Sequence, residues 1–153
     1  MYNSNTNVDY RNTIFEYPDL TRIIGEPTTA SLLTLIKEVR ANASAVHCDL
    51  GGGEDGHLGL VCTPEVYATL APGAEPYVRP ENPGRLALED GLTQYQIAQG
   101  RDEHAEATRV FREVIGVDRA LRQQIVAAIE PKYLRALRLP GTNKITQTIP
   151  EIF

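Results

Sequence analysis

The chain has 153 residues, of which 42% are hydrophobic and 23% are charged, and its net charge is −5. This balance excludes a disordered chain and gives the surface as a whole no attraction for nucleic acid or an anionic membrane, although a local basic stripe remains open. No apolar run is long enough for a transmembrane helix, and the start of the chain does not have the pattern of a secretion signal. We therefore expect a soluble, cytoplasmic protein, in which Cys48 and Cys62 are small buried hydrophobes.

The first part of the chain divides into an arm, a docking segment of residues 14–24 and a helix. The docking segment is expected to be either a short helix or an extended stretch that docks on the core. Residues 1–13 are polar and are expected to form a flexible arm, whereas residues 14–153 form a single helical domain. Thr28 or Thr29 is a suitable N-cap for the first long helix. Its apolar side chains recur at steps of three and four: Leu32, Leu35, Ile36, Val39, Ala43 and Val46. Polar side chains between them, including Asn42, are expected to face water.

A glycine-rich segment follows this helix, with five glycines between residues 51 and 59. We expect a glycine-rich loop or a short β-hairpin near residues 50–62, in which residues 58–62 form a strand. Four of its residues are candidate hinge positions: Gly51, Gly52, Gly53 and Gly56. His57 is expected to hydrogen-bond to the backbone and order the turn, the alternative being a metal ligand or a general base.

The second half of the chain is dominated by one long apolar pattern. Thr63 and Pro64 predict the start of a short helix, and the prolines of residues 72–91 exclude a regular one. Residues 93–129 then predict one long helix, or two collinear ones with a joint at Gly116. Its opposite, exposed face is expected to carry the following side chains: Arg112, Glu113, Asp118, Arg119, Arg122 and Gln123.

Two shorter helices follow the long one. Residues 131–138 predict a short helix, and Thr148 is the N-cap of another that begins near the last residue. We therefore expect the 153 residues to be the front part of a longer polypeptide.

Five basic side chains make the C-terminal third of the chain locally positive: Arg119, Arg122, Lys132, Arg135 and Arg138. They are a solvated face or, alternatively, contact RNA phosphates or an acidic patch on another subunit.

One string suggests an enzyme. Residues 53–57 resemble the Gly-Asp-Gly-His loop of sugar-phosphate lactonases and amino-sugar-phosphate deaminases, which would make Asp55 and His57 an acid–base pair. Those enzymes place the loop in a doubly wound α/β fold, and no βαβ alternation precedes residue 51. The histidines and cysteines lack zinc-binding spacing, and no nucleophile stands at a strand-to-helix elbow. We therefore name no catalytic residue, metal ligand or cofactor.

Several motifs resemble a known family. These are residues 20–28, the helix end Arg40 to Ala43, the glycine–histidine loop of residues 50–61, Tyr77-Val78-Arg79-Pro80, the pieces around Phe111 and residues 120–126, Tyr133 to Leu137, and Thr148 to Ile152. In this order they resemble the Gag-like proteins of copia-type retrotransposons, as found in diatoms and other protists. The resemblance extends over nearly the whole chain from about residue 14.

The resemblance implies a capsid-like structural protein rather than an enzyme. Such Gag proteins assemble into shells around the RNA of the element, so the expected partner is a second copy of the chain, and no small-molecule substrate or membrane is expected. Non-specific RNA contact stays open, because the zinc knuckle of the family would lie downstream. Candidate assembly residues lie on the long helix and on residues 133–138: Phe111, Arg119, Arg122, Tyr133 and Arg135. A host adaptor domesticated from a Gag protein is a third alternative.

Overall fold

The computed structural model describes residues 9–48, 55–138, 140–141, 145 and 147–153. Six α-helices occur in these residues: α1 (Tyr10–Thr13), α2 (Thr29–Ala45), α3 (Pro64–Leu70), α4 (Gln94–Ala128), α5 (Pro131–Leu134) and α6 (Ile149–Ile152). Short 3-10 helices cover Leu58–Leu60 and Arg135–Leu137. The prediction of a mainly α fold is confirmed.

The prediction of a strand at residues 58–62 was wrong. Leu58–Leu60 forms a 3-10 helix, and Val61 N–H closes its end by donating to the Leu58 carbonyl. In the described residues the only β-type pairing is an isolated antiparallel bridge between Arg138 and Ile145. Three of the candidate hinge glycines, Gly51, Gly52 and Gly53, lie outside the described residues.

The core forms where α2 packs against the second half of α4. From α2 it takes Leu35, Val39 and Ala43, which belong to the predicted apolar stripe. From α4 it takes five further apolar side chains that are essentially inaccessible to water: Val114, Val117, Leu121, Ile125 and Ala128. The period of three and four in both sequences therefore identified the packed faces correctly.

Threonine caps begin four of the helices that the sequence predicted. Thr28 and Thr93 each accept a hydrogen bond from the backbone N–H three residues later, and that residue's side chain bonds back to the threonine N–H. Thr148 and Glu151 form the same reciprocal pair at α6, and Thr63 caps α3 ahead of Pro64. These groups satisfy N–H donors that have no partner inside the helix.

The segment before α2 docks along the core. Phe15 and Ile23 are buried, and Ile23 N–H donates to the Ala128 carbonyl at 2.7 Å. Residues 9–13 belong to the expected polar arm, and Tyr10 of α1 packs against the core, with its ring over Gly116 of α4. Residues 1–8 of that arm lie outside the described residues.

Two polar side chains that were expected to face water are instead buried, and those two expectations were wrong. Asn42 is 0% exposed because its amide bonds to the Tyr17 backbone and to Gln124. Asp118 is buried because two arginines cover its carboxylate, Arg122 at 2.7 Å and Arg79 at 3.7 Å. Burial of such groups is tolerated only with partners of this kind.

Candidate assembly surfaces

The described part of the glycine–histidine loop closes on the end of α2. His57 N–H donates to the Ala43 carbonyl at 2.9 Å. Gly56 has a positive φ of 54°, and a Cβ at this position would overlap the carbonyl oxygens of Ser44 and Val46. Only glycine allows the loop this backbone conformation together with so close an approach.

His57 lies at the centre of this closure and is 0% exposed. Its Nδ1 is hydrogen-bonded to the Tyr77 hydroxyl at 2.9 Å, and its Nε2 lies 3.8 Å from Glu113 Oε1. Burial, followed by the nearby His47, lowers the pKa of His57 from its ordinary value to about 4. Burial likewise raises the pKa of Tyr77. Both side chains are therefore neutral near pH 7.

Tyr77 joins the loop to the proline-rich segment. A Cβ on Gly59 would overlap the Cβ and ring of Tyr77, and the Tyr67 ring lies 6.2 Å from the Tyr77 ring. Two separate motifs of the resemblance, the glycine–histidine loop and the Tyr77–Pro80 piece, thus pack against each other. Their unusual residues are explained by packing: glycine where a ring approaches, and histidine where a phenol needs a partner.

This arrangement favours a structural role for His57 over catalysis by Asp55 and His57. Asp55 is half-buried, but a substrate in solvent does not reach the His57 ring. His57 was expected to hydrogen-bond to the backbone and order the turn. Its backbone N–H does donate to the Ala43 carbonyl, but its ring bonds instead to the Tyr77 hydroxyl. No β-strand occurs in the residues that the structure describes, whereas the enzyme alternative requires a parallel sheet.

The first half of α4 differs from the second in having no buried residue. We call residues 94–111 the outer half; burial in α4 begins only at Val114. One irregular segment runs beside it, where Leu88 lies against Gly100 and His104 Nε2 donates to the Gly84 carbonyl at 2.8 Å. Since α4 has 35 residues and a helix rises 1.5 Å per residue, the helix is about 50 Å long.

The solvent face of the outer half carries an aromatic side chain and then acids. Tyr95, Gln99, Asp102 and Glu106 recur at steps of four, three and four, so they share one side of the helix. All four are exposed, Tyr95 to 76%. We call this set the acidic stripe. Beside it, Asp102, Glu103, Glu106 and Glu81 line a shallow cavity of about 680 Å³.

A second surface lies at the other end of α4 and is basic around an apolar floor. A groove of about 420 Å³ has five aliphatic lining residues, Ile125, Val126, Leu134, Ile145 and Ile152. Three guanidinium groups also line it: Arg119, Arg122 and Arg138. We call these eight residues the basic groove.

The ten residues predicted as assembly or hinge positions fall in different places. Arg119 and Arg122 belong to the basic groove, where Arg119 is exposed and Arg122 also donates to the Ile145 carbonyl at 3.2 Å. Arg135 is exposed, whereas Phe111 and Tyr133 are half-buried. Gly56 and His57 are buried and hold the loop in place, and Gly51, Gly52 and Gly53 lie outside the described residues.

The acidic stripe and the apolar floor were not identified from the sequence. The stripe has a readable signal, an aromatic followed by acids at helical spacing. The floor has none, because its aliphatic residues come from α4, α5, α6 and Ile145 and meet only in the fold.

Comparison of the chain with protein-family models, curated proteins and solved structures gave no match. Among the described residues, no helix combines the length and apolar character needed to cross a membrane. Over the same residues, no group of three or more His, Cys, Asp or Glu side chains is placed to hold a metal ion. The functional argument therefore rests on the two surfaces of this chain itself.

Proposed function

We propose that this chain is a self-assembling, capsid-like structural protein of the Gag type, whose copies join into homo-oligomeric shells or filaments. The observation that carries the proposal is the outer half of α4, in which no residue is buried although the second half of the same helix is the centre of the core. A partner surface for the outer half would complete its packing.

Helix energetics support a partner for the outer half. Most helical stability in proteins comes from packing of one helix face against other parts of the protein, rather than from the helix propensity of the residues. The outer half gains some support from the capping box of Thr93 and from Leu88, but Tyr95 at its start is 76% exposed to solvent. Tyrosine is enriched at contacts between proteins, because its ring is apolar and its hydroxyl is polar.

Assembly from weak contacts suits this surface. Copies that repeat a modest contact many times gain stability through effective concentration. The resemblance to copia-type Gag proteins adds a cargo to the proposal, namely the RNA of the retroelement. Lys132 and Arg135, which are exposed and lie outside the basic groove, are the groups that would face such RNA.

Solution mass as a function of concentration tests the proposal. We expect light scattering to show growth beyond the monomer as concentration rises, and electron microscopy to show regular shells, tubes or filaments. A Tyr95→Ser variant should associate more weakly. Val78→Ser is the matched control, because Val78 is also highly exposed, at 68%, but lies in the proline-rich segment.

The contrary result is a clean monomer at every concentration, in low and high salt. That outcome would refute self-assembly by this segment. Equal weakening by Tyr95→Ser and Val78→Ser would show non-specific hydrophobic association, and it would refute the role given to the outer half.

A further inference from the structure

The proposed self-assembly needs two surfaces that fit each other, and the following inference rests on that function. We propose that the contact is head-to-tail: the acidic stripe of one copy docks on the basic groove of a second copy. The two surfaces lie at opposite ends of α4, one before and one after the start of the buried core.

Charge is the first argument for this pairing. Among the acids of the stripe and of the cavity beside it, Glu106 is paired with Arg109 at 2.6 Å. The other three, Glu81, Asp102 and Glu103, form no ion pair with any described residue. Three guanidinium groups line the groove. Arg122 is already paired with Asp118, whereas Arg119 is exposed and forms no ion pair within the described part of the chain. Complementary charges of this kind select a partner and its orientation.

The apolar groups provide the second argument. Tyr95 stands about two helical turns before Asp102 on the same side of α4, so an aromatic ring and a carboxylate project from one face. The groove has the matching combination, an aliphatic floor beside arginines. Its volume of about 420 Å³ accepts a large side chain. Tyrosine suits such a site because its ring is apolar and its hydroxyl is polar.

The acidic stripe of one copy cannot reach the basic groove of the same copy. Asp102 and Arg119 are 17 positions apart on one continuous helix, which places them roughly 25 Å apart along its axis. That separation exceeds the length of any side chain and the Debye length of about 8 Å at physiological salt. The stripe and the groove can therefore meet only between two copies.

A contact between two different surfaces has a consequence for the assembly. Each copy keeps a free stripe at one end and a free groove at the other, so addition continues into a closed ring or an open filament. The same pairing makes association salt-sensitive, because exposed charges are screened as ionic strength rises.

Charge reversal on the full chain tests the pairing. We expect Asp102→Arg and Arg119→Glu each to weaken self-association roughly tenfold or more, since like charges then face each other. An equimolar mixture of the two variants should associate again, because each contact between one variant and the other joins opposite charges. Arg112→Glu is the matched control: Arg112 is exposed on the same helix but does not line the groove. Circular dichroism would verify that all variants keep the wild-type fold.

The outcomes separate this inference from the function on which it rests. If the wild type associates and Arg119→Glu associates equally well, the head-to-tail pairing is overturned while self-assembly stands. If the wild type is monomeric, self-assembly itself fails. Failure of the mixture to recover also overturns the pairing. So does a result in which Arg119→Glu only reduces binding to a homopolymeric single-stranded RNA probe, which would make the groove a nucleic-acid surface.

Discussion

The side chains of Asn42 and Gln124, 82 residues apart in the sequence, hydrogen-bond to each other at 2.9 Å inside the core. Both amides also hold the docking segment: Asn42 bonds to the N–H and the carbonyl of Tyr17, and Gln124 donates to the carbonyls of Tyr17 and Pro18. Two helices and an irregular segment are thereby fixed in one register. Within a core, such amides are favourable only when their hydrogen bonds are made.

Replacing Gln124 by alanine should therefore destabilise the protein strongly. The substitution removes the three hydrogen bonds that the Gln124 side chain makes, with Asn42 and with the Tyr17 and Pro18 carbonyls, and each such bond contributes about 0.5–1.5 kcal/mol. We expect chemical denaturation to show a loss of about 3 kcal/mol for Gln124→Ala. The neighbouring Gln123 is exposed, so Gln123→Ala should change stability by less than about 0.5 kcal/mol. Similar losses for both variants would contradict a structural role for the amide network.

Local patterns in the sequence were sufficient for the helices but not for the buried polar groups. The threonine caps and the apolar period predicted α2 and α4 correctly, because both signals depend only on residues that are close together in the sequence. The burial of Asn42 and Asp118 depends on Gln124, Tyr17 and Arg79, which are distant in the sequence and approach only after folding. The strand expected at residues 58–62 failed for the same reason, because Tyr77 packs on Gly59 there. The basic part of the groove was identifiable as a charge cluster, but its apolar floor was not.

The close packing of Gly59 and Tyr77 predicts that Gly59→Ala is disruptive. The added methyl group would overlap the Cβ and ring of Tyr77, which cannot move without disturbing its bond to His57. We expect a loss of roughly 2–3 kcal/mol, as for other overpacked cores. Gly100→Ala is the control, since its methyl group meets only the flexible end of Leu88 and alanine favours a helix by about 1 kcal/mol. That variant should be at least as stable as the wild type, as measured by thermal unfolding.

The buried His57 predicts a loss of stability in acid. Its pKa is about 4 when folded and near 6.5 when unfolded, so protonation favours the unfolded chain. The stabilisation is complete above pH 6.5, declines as the pH falls towards 4, and amounts to about 3 kcal/mol. Urea denaturation between pH 7 and 4 would measure this slope. In His57→Phe the protein should be less stable at pH 7, because the bond to Tyr77 is lost, but its stability should depend less on pH.

His104 provides the comparison for the acid experiment. It lies on the outer half of α4, where its ring bonds to the Gly84 carbonyl, and it is only half-buried. His104→Asn should keep the wild-type slope between pH 6.5 and 4. If His57→Phe retained the full slope as well, the acid sensitivity would have to come from the carboxylates or from His47, and the assignment to His57 would be refuted.

The capping boxes of α2 and α4 are chemically alike but should respond differently to loss of the threonine. Thr28→Ala removes a cap from a helix whose side chains are buried in the core, so we expect global stability to fall by about 1 kcal/mol. Thr93→Ala removes the cap from the outer half, where no residue is buried. Its effect should therefore be local, with amide hydrogen exchange in the first turns of α4 about fivefold faster and the melting temperature unchanged. Dilute protein is required, because docking of a second copy would protect these amides and slow their exchange. A drop in melting temperature for dilute Thr93→Ala equal to that of Thr28→Ala would show that the outer half unfolds together with the core, and it would remove the argument that this part of α4 awaits a partner.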